Sequence, residues 1–494
     1  MKKKHSSFGV MILAAGQGKR MRSNLPKVLH EIGGKPLLYH VLSAVGAAKQ
    51  GVDVSQVPVA IVVGHQREAV EKFVQEDPVL SLMDITFVHQ PEQRGTGHAA
   101  RFAMDSEWGE QRVKEKAAVL VLPGDLPLIS PSLIEQMSSP LGRGDALKLL
   151  TCDLPDPTGY GRVVRRGKQG SVMRIVEEKD ATMREKAIRE VALSIYLFDA
   201  AFLQVGLRKI SNKNSQAEYY LTDLISQAAA RRKKINVLKW ADHEDLRGVN
   251  DPWELALAGR ILNERVLRSW AMKGVLFVDP WTVRIDSSVI LSEGVVLHPG
   301  VILTGTTEIA AGSELGPNVV LKNVQVGQGV KIKAGTVAED SVIGAQTQVG
   351  PYAHLRPDSK VGSRAKIGNF VELKKAVIGD GSSVAHLSYL GDAEVGRNVN
   401  IGCGFVTCNY DGRVINGQRK HKTIIEDEVF MGSDCQAVAP VRIGKGAFVA
   451  SGSTITRDVP SGDLAIARSK QVNKTGYAAR FRPAPSTPKE SKGE

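Results

Sequence analysis

The chain is short of cysteine, of aromatic residues and of long apolar runs, and each shortage closes off a class of protein. Its four cysteines (Cys152, Cys403, Cys408, Cys435) form no CxxC pair, so neither a zinc knuckle nor a disulfide framework is indicated, and a reducing, cytoplasmic setting fits. No segment approaches the roughly 18 consecutive apolar residues of a membrane span, so no integral membrane segment is expected. The start, MKKKHSSFGVMILAAG, imitates a signal peptide with three lysines before an apolar run. That run is short and passes straight into a glycine-rich loop, so it reads as a first buried strand. Aromatic residues make up only 5% of the chain, as expected if much of the core is the narrow interior of a coil. Acidic residues are outnumbered, 52 against 65 Lys and Arg, for a net charge of +13. A nucleic-acid partner is one reading of that excess. Anionic substrates and a basic tail account for it better: from Arg468 onward seven Lys/Arg face two Glu in a Pro/Ser/Lys-rich stretch that reads as disordered over 469–494.

What the chain does have is a period of six. Aliphatic residues recur at Ile285, Leu291, Leu297, Leu303, Ile309, Leu315 and Leu321, then at Ile343, Val349, Leu355, Val361, Ile367 and Leu373, and again from Ile425 to Ile455. Neither a lone helix nor a strand gives this spacing. A hexapeptide coil does, each six residues making one short strand and one corner of a three-sided parallel β-coil. The period runs from near Val283 to near Val459, within a coil domain placed at 276–468. The segment Gly412–Lys420 interrupts it and is expected to loop out. Ahead of it, residues 1–250 alternate apolar runs with helical patterns, and FGVMIL, VPVAIVVG, DITFVH and AAVLVLPGD read as parallel strands of a doubly wound sheet. Asp251 as N-cap and Pro252 in the first turn open a helical linker over 251–275.

After the first strand, which ends at Leu13, comes Ala14-Ala15-Gly16-Gln17-Gly18-Lys19-Arg20-Met21, then Leu25-Pro26-Lys27. Small residues let backbone N–H groups approach a phosphate, and Arg20 and Lys27 would bring two cations onto a polyphosphate. Glycines alone often serve packing at such a turn, and the pattern is neither GxGxxG nor GxxxxGK[ST]. The combination L-A-A-G-x-G-x-R-M with P-K-V-L resembles the signature of sugar-phosphate nucleotidyltransferases. Gln90 to His98 is similar to that family's Q-x-x-x-x-G-T-x-H loop, so Gln90, Gly95 and Thr96, with Leu13, Ala14, Gly16 and Lys27, are implied at a UTP site. Asp125, ending AAVLVLPGD, and Asn250, in Gly248-Val249-Asn250-Asp251, match the family's Mg²⁺ ligands, and two hard oxygen donors suit that ion. Gly161 and Glu177 match its sugar contacts.

Further along, Leu355-Arg356-Pro357, Gly368-Asn369-Phe370-Val371-Glu372-Leu373-Lys374-Lys375, His386-Leu387-Ser388-Tyr389-Leu390-Gly391-Asp392 and Cys408-Asn409-Tyr410-Asp411-Gly412 occur in order. With the N-terminal set they resemble the bacterial bifunctional N-acetylglucosamine-1-phosphate uridyltransferases and glucosamine-1-phosphate acetyltransferases, over almost the whole chain. The resemblance implies an α/β Rossmann-like nucleotidyltransferase domain followed by a left-handed parallel β-helix, with acetyl-CoA and UTP as co-substrates, sugar phosphates as partners, and a homotrimer. His386 aligns with the proposed general base, a role imidazole suits. Arg356, Lys374, Tyr389, Asn400 and Lys420 match the sugar-phosphate contacts. Cys403, Asn409, Tyr410, Ser433, Ser451 and Arg468 fall where the family meets acetyl-CoA.

Three departures stand out. Pro123-Gly124-Asp125 replaces the family's Y-G-D, and Glu190-Val191-Ala192-Leu193-Ser194-Ile195 replaces E-x-N-T-G-I, with Ala192 where an asparagine helps recognise N-acetylglucosamine. The Gly412–Lys420 loop is longer than the family's. An alternative therefore stands beside the two-reaction enzyme: a sugar-1-phosphate nucleotidyltransferase of altered sugar specificity whose β-helix serves oligomerisation or regulation. A metal hydratase on the coil is disfavoured, because His298, His354, His386 and His421 are spaced irregularly.

Overall fold

The computed structural model describes residues 8–48, 57–167, 170–412, 414 and 417–481. The leading lysines, part of the Gly412–Lys420 loop and residues 482–494 of the basic tail lie outside the described residues. Tyr477–Phe481 forms a short 3-10 turn. Two compact units emerge: residues through Lys273 with Arg284–Val289 and Leu303–Gly305, and the remainder from Gly274 onward.

In the first unit, runs of β-branched and aliphatic residues form β1 (Phe8–Leu13), β2 (Val59–Val63), β3 (Ile85–His89) and β4 (Ala118–Pro123). These pair in parallel, β1 lying between β2 and β4. Both faces are covered: Val10, Ile12 and Ile61 pack into one core, Met11, Val62 and Val121 into another, which is why these strands read as continuous apolar runs. The other half of the sheet is mixed. β5 (Asp145–Asp153), β6 (Gly161–Arg165), β7 (Val172–Val176), β8 (Glu190–Asp199) and β9 (Lys234–Lys239) complete the order β9-β5-β8-β4-β1-β2-β3, with β6 pairing β8 off this path and β7 pairing β6. β8 runs antiparallel to β4, β5 and β6. A bulge between Ala192 and Tyr196 turns Ser194 to φ +58°. Pro252–Ala271 is the expected helix, with Asp251 Oδ1 accepting from Glu254 N at 2.9 Å and Pro252 in the first turn.

From Gly274 onward the chain winds into a left-handed parallel β-helix whose three sheets hold eleven, ten and nine strands among the described residues. Each aliphatic repeat residue points inward; Leu297, Leu303, Leu321, Leu355, Ile367 and Leu373 are fully buried. The apparent slip after Leu321 is only a shortening of corners, since Val326, Ile332 and Ala338 keep the interior continuous. The ladder reaches beyond the sequence period at both ends, to Leu276–Phe277 and Leu464–Ala465. As expected, the segment after Gly412 leaves the coil: its described residues are exposed, and the ladder passes directly from Val395 to Ile425.

Candidate functional sites

The parallel strands stop at one edge of the sheet, and their C-terminal ends open into a cleft of about 1060 Å³, the place where open α/β sheets hold ligands. Leu13, Ala14, Gly16, Lys27, Gln90, Gly95, Thr96, Asp125, Gly161, Glu177 and Asn250 all line it. Arg20 does not. It is exposed on the short Lys19–Met21 turn, flanked by left-handed residues at Gly18 and Arg22, and Lys19 faces the cleft in its place.

Three groups converge at the strand ends. The Lys27 ammonium contacts Asp125 Oδ2 and lies 3.5 Å from Asn250 Oδ1. Gly18 allows this approach, because a Cβ there (φ +60°) would sit 2.8 Å from Lys27 Cβ. Glu254 fixes Asn250 by accepting from its backbone N–H at 2.7 Å. Two hard oxygen donors thus face one cation, a donor set that fits Mg²⁺ completed by phosphate and water. Among the described residues, no group of three His, Cys, Asp or Glu could hold a metal without such help.

Gln90 is buried at the end of β3 and its Nε2 lies 3.0 Å from His98 Nδ1. Burial, the largest influence, pushes the His98 pKa down, so the ring stays neutral and accepts from the amide. Gln90 and Gln93 both line the cleft here. Gly95 holds φ +99°, and the Gly97 N–H donates to Tyr219 O at 2.8 Å. On the opposite wall Glu177 accepts from the Thr222 hydroxyl at 2.9 Å, and burial raises its pKa. Ala192, Ser194, Pro123 and Thr222 line this part of the cleft too. Sequence reasoning gave Thr222 and His98 no individual role: Thr222 acts through Glu177, distant in the chain, and His98, though inside the Gln90 motif loop, acts through a side-chain contact that spacing does not express.

On the coil, register arranges the remaining residues in columns. Asn369 is paired with His386 one coil along. The ladders Ser383↔Asn400, Asn400↔Phe430 and Phe430↔Phe448 carry the same corner through Cys403, Ser433 and Ser451. Arg468 closes the column, its guanidinium donating to Ser451 O. Asn400 is exposed on the sheet face leading to that corner. The cations Arg356 and Lys374 lie elsewhere. Lys374 is in register with Gly391 at the far end of Tyr389–Gly391, while His386 precedes that strand, so the span of one face, roughly 10 Å, separates them. Arg356 donates to Glu372 Oε1 at 2.9 Å. Asn409 is buried and donates to Asp392 Oδ2 at 2.6 Å, whereas Tyr410 is exposed with the Lys420 ammonium 5.5 Å from its ring centre. A single prism therefore places His386 and the Arg356–Lys374 pair on different corners.

Comparison with known proteins agrees with both units. Residues 10–160 match the MobA-like NTP transferase domain, and residues 340–375 match the bacterial transferase hexapeptide (six repeats). The chain is 44% identical over 477 residues to the bifunctional protein GlmU of Pelobacter propionicus, covering 96% of this chain and 99% of that one. The bifunctional protein GlmU of Geotalea uraniireducens is 43% identical over 473 residues (96% and 99%), and that of Streptomyces avermitilis 42% over 482 residues (97% and 96%).

Proposed function

The chain belongs to the bifunctional GlmU family, and from that premise we infer that it makes UDP-N-acetylglucosamine in two steps, acetyl transfer to glucosamine-1-phosphate followed by uridylyl transfer from UTP. The observation that carries this reading is the presence, on one chain, of two polar sites on separate units: the Lys27–Asp125–Asn250 cluster in the sheet-edge cleft and the His386 column on the coil.

In the first step His386 Nε2 takes the proton of the sugar amine as the amine nitrogen attacks the thioester carbonyl; the C–N bond forms, the C–S bond breaks, and CoA leaves as the thiolate. Arg356, Lys374 and Lys420 hold the sugar phosphate, and the Cys403–Ser433–Ser451–Arg468 column runs along the cofactor. Because base and cations sit on different corners of one prism, the complete site is formed between copies, in a homotrimer. The stacked, part-exposed Phe430 and Phe448, 4.5 Å between ring centres, support burial of an outer face.

In the second step an oxygen of the sugar phosphate attacks the α-phosphorus of UTP and pyrophosphate leaves. Mg²⁺ held by Asp125 and Asn250 would neutralise charge developing on the phosphates. Lys27 and the backbone of the Ala14–Gly18 loop grip the triphosphate, Gln90 reads the uracil, and Glu177 and Gly161 seat the sugar. No helix among the described residues is long and apolar enough to cross a membrane, which accords with work in the cytoplasm.

The test uses the full chain and two assays, thiol release from acetyl-CoA with glucosamine-1-phosphate, and pyrophosphate release from UTP, Mg²⁺ and N-acetylglucosamine-1-phosphate. His386→Ala is expected to abolish only the first and Asp125→Ala only the second. An unchanged rate of thiol release in His386→Ala would return the coil to a purely structural role.

A further inference from the structure

The base does not stand alone at its corner. Most strands on its sheet are two residues long, as at Gln348–Val349 and Asn400–Ile401, but Lys366–Asn369 and Ser383–His386 each extend to four. The extension carries the ladder to Asn369 and His386. There the side chains meet: Asn369 Oδ1 lies 2.7 Å from His386 Nδ1. The main chain is pinned on both sides of the ring. Leu387 N donates to Asn369 O at 3.0 Å, and Ser388 Oγ donates to His386 O at 2.8 Å. Gly368 makes the close approach possible, since a Cβ at that position would lie 1.7 Å from Ala385 O.

We propose that Asn369 is a positioning residue for acetyl transfer. Its carboxamide oxygen accepts from His386 Nδ1–H, and this fixes the tautomer whose Nε2 lone pair faces the acceptor amine. The inference rests on His386 being the general base. A neutral amide suits that work. It orients the ring as a carboxylate would, yet it does not hold a full counter-charge against the imidazolium formed when Nε2 takes the amine proton. The proton is therefore released readily once the thiolate has left.

The experiment compares Asn369→Ala, Asn369→Asp and His386→Ala in the full chain. It follows acetyl transfer by thiol release across pH, with uridylyl transfer in the same preparations as the measure of intact folding. Asn369→Ala is expected to lower kcat for acetyl transfer at least tenfold with little change in KM, and to leave uridylyl transfer alone. Asn369→Asp is expected to recover much of that rate but to move the acid limb of the profile to higher pH, because the carboxylate stabilises the imidazolium. Nitrogen-15 spectra of the wild-type protein should show the His386 proton on Nδ1. A wild-type rate and pH profile in Asn369→Ala, or a proton resident on Nε2, would overturn the proposal while an inactive His386→Ala still upheld the base. Full acetyl transfer in His386→Ala would remove the base and this role together.

Discussion

Leu373 gives the sharpest test of how the coil supports its chemistry. Its side chain is fully buried in the prism, in register with Leu355 on one side and Leu390 on the other. A coil this narrow has few neighbours able to collapse into a hole, so Leu373→Ala should fall within the usual cost of about 2–5 kcal/mol for such truncations. For a unit of this size each kcal/mol moves Tm by roughly 2–4 °C, so the coil transition should drop by about 4–20 °C. Calorimetry at fixed protein concentration is the assay, with both activities measured after graded heating. Acetyl transfer should be lost at lower temperature than in the wild type, since Glu372 and Lys374 flank the cavity, while the transition of the nucleotidyltransferase unit and its activity stay in place. If both transitions fell together, or if the coil transition moved by less than about 2 °C, the picture of an independently packed prism with a rigid interior would be wrong.

Three more outcomes are expected. Gly95→Ala forces a Cβ to 2.6 Å from Tyr219 O at φ +99°, so uridylyl kcat/KM should fall by about tenfold or more, with acetyl transfer unaffected; equal kinetics would show that the loop yields freely. Glu177 has a raised pKa from burial, so any stability contributed by its protonated form is present below the ordinary carboxylate range and is lost as pH rises through the elevated value. Glu177→Gln should therefore stabilise the first unit at neutral pH more than at pH 4, and should flatten the acid limb of sugar KM; thermal melts and initial rates across pH check both. Ala192→Asn adds an amide to the sugar wall, and one hydrogen bond of about 1–3 kcal/mol should raise preference for N-acetylglucosamine-1-phosphate over glucose-1-phosphate about 5- to 150-fold. An unchanged ratio in a pyrophosphate-release panel would place position 192 away from the 2-substituent.

The coil was legible because its geometry repeats: each turn imposes the same inward position, so the period survives in the sequence even where shortened corners at Leu321–Val326 shift its phase. The parallel half of the sheet was legible for a related reason, both faces being buried. Its antiparallel half was not. GRVVR and VMRIV mix charge with aliphatics; VMRIV pairs only with GRVVR, and GRVVR joins the sheet through β8, a partner distant in the chain. The cleft residues came from motif resemblance, and most of them gather as that implied. Arg20 did not: it is exposed on the Lys19–Met21 turn, flanked by left-handed Gly18 and Arg22, and it is Lys19 that lines the cleft. Asn369 was visible as a letter in G-N-F-V-E, but its partner is set by coil-on-coil register, which no local spacing expresses.

Stacking gives the acetyl-transfer corner a consequence of its own. Successive members of the His386–Cys403–Ser433–Ser451 series advance by one strand spacing, about 4.8 Å, along a rail whose core does not change with its length. The reach from thioester chemistry to the far end of a bound cofactor is thus graduated in fixed increments. Splicing out one whole coil between His386 and Arg468 would shorten that reach by one graduation while leaving both ends intact, so a donor with a correspondingly shorter arm would become the better fit.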